Sequence, residues 1–324
     1  MSTKQKVWIS VALVAVVGIA LRFTLPVGKP LVSVRAEELF HIGGYTVTNS
    51  LLLTWLVMLL LVVLSLIATS KLRRGDETAL RQPRGLQNTM EYAVETFYNT
   101  MSGVSPKYAA RFFVVVATIF FLVLPSNWLG LVPGVGSVGI CFTGGAHASA
   151  DAALVASAGA SDSAAPVLAA TEGEGYSHNC PAGTAFHPFL RSGSADLNLT
   201  LALALVSFLT TEFWGFRKQG LGYLGKFFIF NQGPIQFFVG IIELISEFAR
   251  IISFTFRLFG NIFAGEVVLL VMAFLFPTLL SLPFYGLELF VGLVQAFVFA
   301  MLTMAFIDMA AESHGDHGHE EHAH

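Results

Sequence analysis

The sequence carries little charge for its length. Lysine, arginine, aspartate and glutamate make up 12% of its 324 residues, about half the roughly 25% found in soluble globular proteins. The formal net charge of -3 provides no basic surface for nucleic acid. Two cysteines are too few for a small disulfide-stabilised domain. These shortages exclude an ordinary soluble protein, a nucleic-acid-binding protein and a disulfide scaffold.

Apolar residues take the place of the missing charges. The sequence is 55% hydrophobic and contains 30 phenylalanines, and its mean hydropathy is +0.70. Several apolar runs reach the roughly 20 residues that a helix needs to cross a bilayer. Because helices satisfy their own backbone hydrogen bonds in lipid, the pattern predicts an all-α polytopic membrane protein with about six membrane helices. The runs lie at about 7–24, 49–70, 111–133, 196–216, 235–276 and 284–311.

The fifth apolar run is unusually long. It contains no proline, and a helix of its length would span roughly 63 Å at about 1.5 Å per residue. That is about twice the roughly 30 Å hydrocarbon core, so the helix is predicted to be strongly tilted. Pro234 precedes the run, Pro277 ends it, and Pro283 completes the turn into the sixth run. The last two helices are therefore predicted to form a long, strongly tilted hairpin.

The distribution of basic residues predicts the orientation. The loops 71–84 and 216–226 are rich in lysine and arginine, which places them in the cytoplasm. The loop 134–195 has one arginine and no lysine, which places it on the opposite side. The first run is either a retained signal-anchor or a cleaved signal peptide. Residues 86–101 have apolar positions at helical spacing and predict an interfacial amphipathic helix.

These features divide the chain into five segments. A signal-anchor or membrane helix is followed by two membrane helices with the amphipathic helix between them, an extracytoplasmic low-complexity loop, a channel-like helical core and a His-rich cytoplasmic tail. The segments are 1–25, 26–133, 134–195, 196–312 and 313–324.

The two cysteines of the outer loop and the His-rich tail can each be interpreted in two ways. Cys141 and Cys180 bracket the Ala-, Ser- and Gly-rich part of the loop, which the predicted orientation places on the oxidising side of the membrane. They are consistent with a disulfide or with two free thiols. The tail is consistent with a solvated segment or with a divalent-metal site formed by its imidazoles and carboxylates.

Ionisable residues inside the apolar runs indicate function. An arginine at the centre of a membrane helix costs about 2.5–3.5 kcal/mol on insertion scales, so a charge such as Arg257 requires a partner. At about 100° per residue, Arg257 shares one face of the fifth helix with Glu243 and Asn261, whereas Glu266 points to roughly the opposite face. The structural alternative for the beginning of this helix is an interfacial ion-pair set formed by Glu243, Glu247 and Arg250.

The sixth run carries two polar residues of its own. Glu288 and Gln295 are seven residues apart and so share a helix face. In an antiparallel hairpin, Glu288 is expected to approach Glu266, and Gln295 is expected to lie level with Arg257.

The segment FRLFGNIFAGE, residues 256–266, resembles the most distinctive part of subunit a of F-type ATP synthase. LVQAFVFAMLTMAFIDMA, residues 293–310, resembles the last helix of the same family. The likeness covers nearly all of the chain from about residue 36. Further matching segments are AEELFHIGGYTVTNSLLLTW (36–55), GLQNTMEYAVE (85–95), SNWLGLVPG (126–134) and SADLNLTLALAL (194–205).

The resemblance implies a proton-translocating stator subunit. In that family a rotor ring of small subunits, each with a carboxylate in mid-membrane, turns past two offset half-channels. Arg257 matches the essential arginine, and a guanidinium does not give up its proton. The resemblance implies that Glu266 and Glu288 line the outer half-channel and Glu243 the inner exit. The implied polar neighbours of the outer half-channel are Asp196, Asn261 and Gln295.

The resemblance also implies the surroundings of the chain. Its partners would be rotor-ring c subunits, peripheral-stalk b subunits, the rest of the ATP synthase and the lipid bilayer of a bacterial inner membrane. It would need no cofactor and would be a non-catalytic component without a catalytic site of its own. The alternative function is an ion-coupled secondary transporter, which predicts inverted internal repeats and paired broken helices. The sequence has neither.

Overall fold

The computed structural model describes residues 36–73, 85–132, 135–136, 138–143, 184–220, 234–275 and 281–311. Within these ranges the chain forms six α-helices and four short β-strands. The helices are α1 (Asn49–Arg73), α2 (Leu86–Val104), α3 (Ala109–Gly130), α4 (Leu197–Gln219), α5 (Pro234–Leu275) and α6 (Ser281–Ala311). The strands are β1 (Glu38–Ile42), β2 (Tyr45–Thr48), β3 (Gly139–Thr143) and β4 (Thr184–Pro188).

Five of these helices are long and apolar enough to cross a membrane. They are α1 and α3 to α6, and their ends lie within three residues of the apolar runs in the sequence. The predicted all-α polytopic membrane fold is thereby confirmed. The run at 7–24 lies outside the described residues, and the tilt of the last two helices stays a prediction.

The amphipathic segment and the helix ends follow from local sequence. Helix α2 buries Phe97 and Met101, as the apolar spacing of residues 86–101 predicts. Helix α4 begins after Asp196, whose side chain accepts a hydrogen bond from the Asn198 N–H at 2.9 Å, an N-cap that satisfies an otherwise unpaired donor. It ends before Gly220, whose φ of 59° suits glycine at a helix C-terminus.

Two antiparallel hairpins add to the helices. In the first, β1 pairs with β2 around Gly43 and Gly44, whose φ values of 55° and 92° make glycine the favoured residue type in the turn. In the second, β3 pairs with β4 through five residue pairs, from Gly139 with Pro188 to Thr143 with Thr184. The second hairpin was not predicted, because its two strands are separated by the low-complexity part of the outer loop. Residues 144–183 lie outside the described ranges.

The described residues form two units. The first contains the strands and the described parts of residues 36–52, 130–191 and 264–288, and the second contains the described parts of 53–129, 192–263 and 289–311. The second unit has an aromatic core in which the Phe97 and Phe120 rings stack at 4.5 Å. The hydroxyls of Ser207 on α4 and Thr303 on α6 share a buried hydrogen bond of 2.9 Å. The largest fully buried side chains of this core are Phe299, Met101, Leu258, Met304, Ile307, Val116 and Val123.

Candidate functional site

Arg257 lies in the middle of α5, on a part of the helix that the chain itself leaves exposed. Its guanidinium carbon is 5.7 Å from the centre of the Phe254 ring. Phe254 and Leu258 on either side are buried, so the backbone is held by the core while the charged side chain points away from it. Among the described residues, Arg257 has no hydrogen bond or ion pair. A permanent charge in an apolar helix is thus presented outward.

A polar pair lies one helical turn beyond Arg257. The Asn261 side-chain amide donates to Gln295 Oε1 at 3.3 Å, which joins α5 to α6. Gln295 is buried, and its Nε2 has no hydrogen-bond partner among the described residues. The sequence predicted that Gln295 lies level with Arg257, and the structure pairs Gln295 with Asn261, one helical turn beyond Arg257. Helix α6 follows α5 in an antiparallel hairpin, and this hydrogen bond shows that Gln295 on α6 lies opposite Asn261 on α5.

In the first unit, Glu266 forms an ion pair that the sequence did not predict. Arg191 Nε donates to Glu266 Oε2 at 3.2 Å. Both side chains are largely buried, with 14% and 26% of their surface exposed. A partly buried pair of this kind is less screened by solvent than a surface pair. Arg191 is therefore a fixed counter-charge for this carboxylate.

Glu288 lies against Gly265, the residue before Glu266. A methyl group at Gly265 would overlap the carboxylate of Glu288, so glycine is what allows α6 to bring this side chain so close to α5. Glu288 is buried, and its Oε1 has no hydrogen-bond partner among the described residues. Its carboxyl is within electrostatic range of Glu266. Glu288 therefore lies beside the residue that precedes Glu266, and the approach of the two carboxyl groups stays a prediction.

The remaining channel candidates lie in the second unit. Asp196 is buried and acts as the N-cap of α4. Glu243 is half-buried near the beginning of α5. Arg250 Nη1 pairs with Glu247 at 2.8 Å, and its guanidinium carbon lies 4.2 Å from the centre of the Phe306 ring. Of the ion-pair set considered as the structural alternative for the beginning of α5, the structure therefore shows the pair of Arg250 with Glu247.

Neither cysteine interpretation is decided. Cys141 belongs to β3, and Cys180 lies outside the described residues. The tail 313–324 lies outside them as well. Within the described ranges, histidine, cysteine, aspartate and glutamate form no group that could hold a metal ion.

Residues 51–308 match the family model described as ATP synthase A chain. The chain belongs to the ATP synthase A chain family. It is 32% identical to ATP synthase subunit a of Gloeobacter violaceus over 83% of this chain and 86% of the relative. It is 30% identical to ATP synthase subunit a of Trichlorobacter lovleyi over 86% of this chain and 94% of the relative. It is 31% identical to ATP synthase subunit a of Citrifermentans bemidjiense over 89% of this chain and 95% of the relative.

The part that matches the ATP synthase A chain family includes all the site residues named from the sequence, from Asp196 to Gln295. It also includes Arg191, whose role the sequence did not reveal. The available signal was that Arg191 is the single arginine of the loop 134–195, 75 positions before Glu266. A lone cation in a segment whose other charged residues are all acidic requires a nearby carboxylate, but sequence spacing does not say which one.

Glu37 is a second functional candidate that sequence reasoning missed. It lies before β1, outside the membrane-length helices, and its backbone carbonyl accepts from the Asn49 N–H at 3.1 Å. Burial raises the pKa of its carboxyl to about 7, and the charge of Arg191 opposes that rise. Arg191 thus faces Glu37 as well as Glu266. A carboxyl with this pKa can exchange protons near neutral pH.

Proposed function

We propose that this chain is the proton-translocating stator subunit of an F-type ATP synthase and gives rotor-ring carboxylates access to two offset half-channels. Proton flow through these half-channels would turn the ring and drive ATP synthesis. Membership of the ATP synthase A chain family and five helices of membrane length support the proposal. The observation that carries it is the exposed guanidinium of Arg257 within an apolar helix.

Arg257 would act as a gate for the passing carboxylates. A guanidinium stays protonated at any accessible pH. Its attraction to a rotor carboxylate is about 4 kcal/mol at 4 Å in an effective dielectric near 20. That attraction favours the ionised carboxylate and so releases its proton. The same charge repels protons moving directly between the half-channels, so rotation is allowed and leak is blocked.

The outer half-channel would be built around Glu266 and Glu288. The contact of Glu288 with Gly265 would bring their carboxyl groups close together, which suits a path along which one group passes a proton to the next. Asn261 and Gln295, which are hydrogen-bonded to each other, would be polar residues of the half-channel. Asp196 would support the same region as the N-cap of α4, and Glu243 would line the inner exit.

The partners follow from this role. The exposed side of α5 around Arg257 would face the rotor-ring c subunits, and the chain would be held by peripheral-stalk b subunits. The relatives named above are bacterial, which supports a multi-pass location in a bacterial inner membrane. The chain would contribute no catalytic site of its own.

Replacing Arg257 tests the proposal in membranes that contain the whole complex. Arg257→Ala removes the gating charge, and proton-driven ATP synthesis is expected to fall to background. Phe256→Ala is a matched control, since Phe256 is the neighbouring residue and is also exposed but carries no charge. It should retain most of the synthesis. Co-purification of this chain with the other subunits checks that both variants assemble, and undiminished synthesis by assembled Arg257→Ala would refute the role.

A further inference from the structure

Four exposed cations gather where α3 begins and α4 ends. Arg111 is in the first turn of α3 and Lys107 lies two residues before that helix, while Arg217 and Lys218 are in the last turn of α4. We call these four residues the basic cluster. Within the described residues, none of the four forms an ion pair. Helix α3 has no acidic residue and α4 has one, Glu212, so positive charge is in excess here.

Two aromatic rings fix the positions of the four cations. Lys107 Nζ and Lys218 Nζ lie 5.3 Å and 5.4 Å from the centre of the Tyr108 ring. Both ammonium groups therefore lie near one ring although they come from different elements. Tyr108 is itself buried and donates its hydroxyl hydrogen to the Ala311 carbonyl at 3.5 Å. The lysine pair is thus built on a fixed platform.

The arginine pair is arranged in the same way around Trp214. The guanidinium carbons of Arg111 and Arg217 lie 4.2 Å and 5.5 Å from the Trp214 ring. Phe112 meets the same indole edge-on at 5.1 Å, which holds α3 against α4. Like charges held this close repel each other, so each pair of cations favours a bound anion.

Exposed apolar surface lies directly beside the basic cluster. On α3, Val114 is one turn past Arg111 and is 71% exposed. On α4, Leu209 and Phe213 precede Arg217 and are 61% and 58% exposed. Charge at the helix ends and apolar stripes along the same helices match a ligand with an anionic head and a hydrocarbon tail.

The nearby carboxylate of α6 does not neutralise this arrangement. Asp308 accepts a short hydrogen bond of 2.6 Å from the Ser105 hydroxyl. That bond orients its carboxylate toward the end of α2. The four cations of the basic cluster outnumber the carboxylates of Glu212 and Asp308.

We propose that the basic cluster binds the phosphate of an anionic phospholipid in the cytoplasmic leaflet, with the acyl chains lying along the stripes of α3 and α4. The end of α4 leads into the loop 216–226, which the basic residues predict to be cytoplasmic. Basic residues between membrane helices on that side recognise anionic headgroups. Tyrosine and tryptophan suit this depth, because their rings favour the boundary between lipid and water.

Photo-crosslinking of lipid to the complete ATP synthase complex tests the site. The complex is placed in phosphatidylcholine vesicles that contain a trace of photoactivatable phosphatidylglycerol or, in parallel, photoactivatable phosphatidylcholine. The label on this chain is located by peptide mass spectrometry. Preferential labelling of the ends of α3 and α4 by the phosphatidylglycerol probe is expected. Arg111→Gln with Arg217→Gln should weaken that labelling roughly fivefold for each cation removed.

The control removes the same charge elsewhere. Arg81→Gln with Arg84→Gln takes two arginines from the other predicted cytoplasmic loop and should leave the labelling near wild type. Equal labelling by the two probes would overturn the proposal in favour of solvated cations. An equal loss of labelling in both double variants would also overturn the proposal, because it would show that the probe responds to the overall positive charge of the surface.

The proposal is independent of proton translocation. Labelling is measured without a proton gradient, so it does not require that Arg257 gates the channel. A failure of the lipid site would leave the channel proposal standing, and the converse also holds.

Discussion

Arg191 is a single cation shared by two carboxylates. It pairs with Glu266 at 3.2 Å, and its charge also acts on Glu37. One positive charge does not neutralise two carboxylates, and burial raises the pKa of Glu37 to about 7, which favours retention of its proton near neutral pH. The proton would be held at the outer side of the chain, where the proposed function requires uptake.

A double-mutant cycle measures the contact between Arg191 and Glu266. Arg191→Gln and Glu266→Gln should each destabilise the complex, since each leaves a partly buried polar group without its partner. The double variant should be less destabilised than the sum, by about 1–3 kcal/mol of coupling. Thermal dissociation of the purified complex provides the measurement. Additive effects would show that the pair contributes nothing.

Glu37 is expected to titrate near neutrality. Its raised pKa of about 7, against the ordinary 4.5, means that folding favours the protonated form. Its favourable contribution to the free energy of unfolding is therefore fully present below pH 4.5 and is lost as the pH rises through about 7. Infrared spectra should show a protonated carboxyl band that disappears over this upper range and is missing in Glu37→Gln.

Glu38→Gln is the control variant for the infrared titration of Glu37. Glu38 is the next residue and lies in β1, opposite Thr48. Its replacement should leave the band of Glu37 in place. A band that is already lost between pH 4 and 5 in the wild type would contradict the burial of Glu37.

Among the elements, the hairpin of α5 and α6 depends on a glycine. Gly265→Ala places a methyl group where the Glu288 carboxylate lies, so either the two helices separate or Glu288 is displaced. We expect proton-driven ATP synthesis to fall at least tenfold, since a displaced catalytic or relay group costs this order of rate. The synthesis rate in reconstituted vesicles is the measurement. Gly286→Ala is the matched control on the same hairpin, because a methyl group there meets nothing within 4 Å.

Helix boundaries were predictable because lipid imposes a simple length rule. The run 235–276 was predicted as one helix and the structure has α5 at Pro234–Leu275, since proline marks its start and no proline interrupts it. The hairpin of β3 and β4 was missed because strand pairing across a long insertion has no local sequence signal. The ion pair of Arg191 with Glu266 was missed for the same reason, as its partners are 75 residues apart.

The individual channel residues were predictable to different degrees. Arg257 stood out because a permanent charge in an apolar run has a high insertion cost. Asp196 was also named, but as a polar neighbour of the channel, and the structure shows its carboxylate capping α4. Glu37 gave no signal, since it lies outside the apolar runs and its burial arises only in the folded chain.

At the scale of the whole molecule, the proposed function requires one side of α5 to face the rotor. Ser253 lies one turn before Arg257 and is exposed, whereas Thr255 is buried, with 3% of its surface exposed. The two residues are similar in size and depth but point in different directions. Their cysteine variants therefore report which face of α5 meets a partner.

Cysteine cross-linking in the assembled complex applies this comparison. Ser253→Cys is paired with a cysteine placed one helical turn from the rotor carboxylate, and copper phenanthroline is the oxidant. A disulfide between this chain and a rotor subunit should form readily, because its geometry needs Cα atoms within roughly 7 Å. Thr255→Cys should give little product, since its side chain points into the core. Equal yields from the two variants, or a product only from Thr255→Cys, would mean that Arg257 does not face the rotor and that its gating role is wrong.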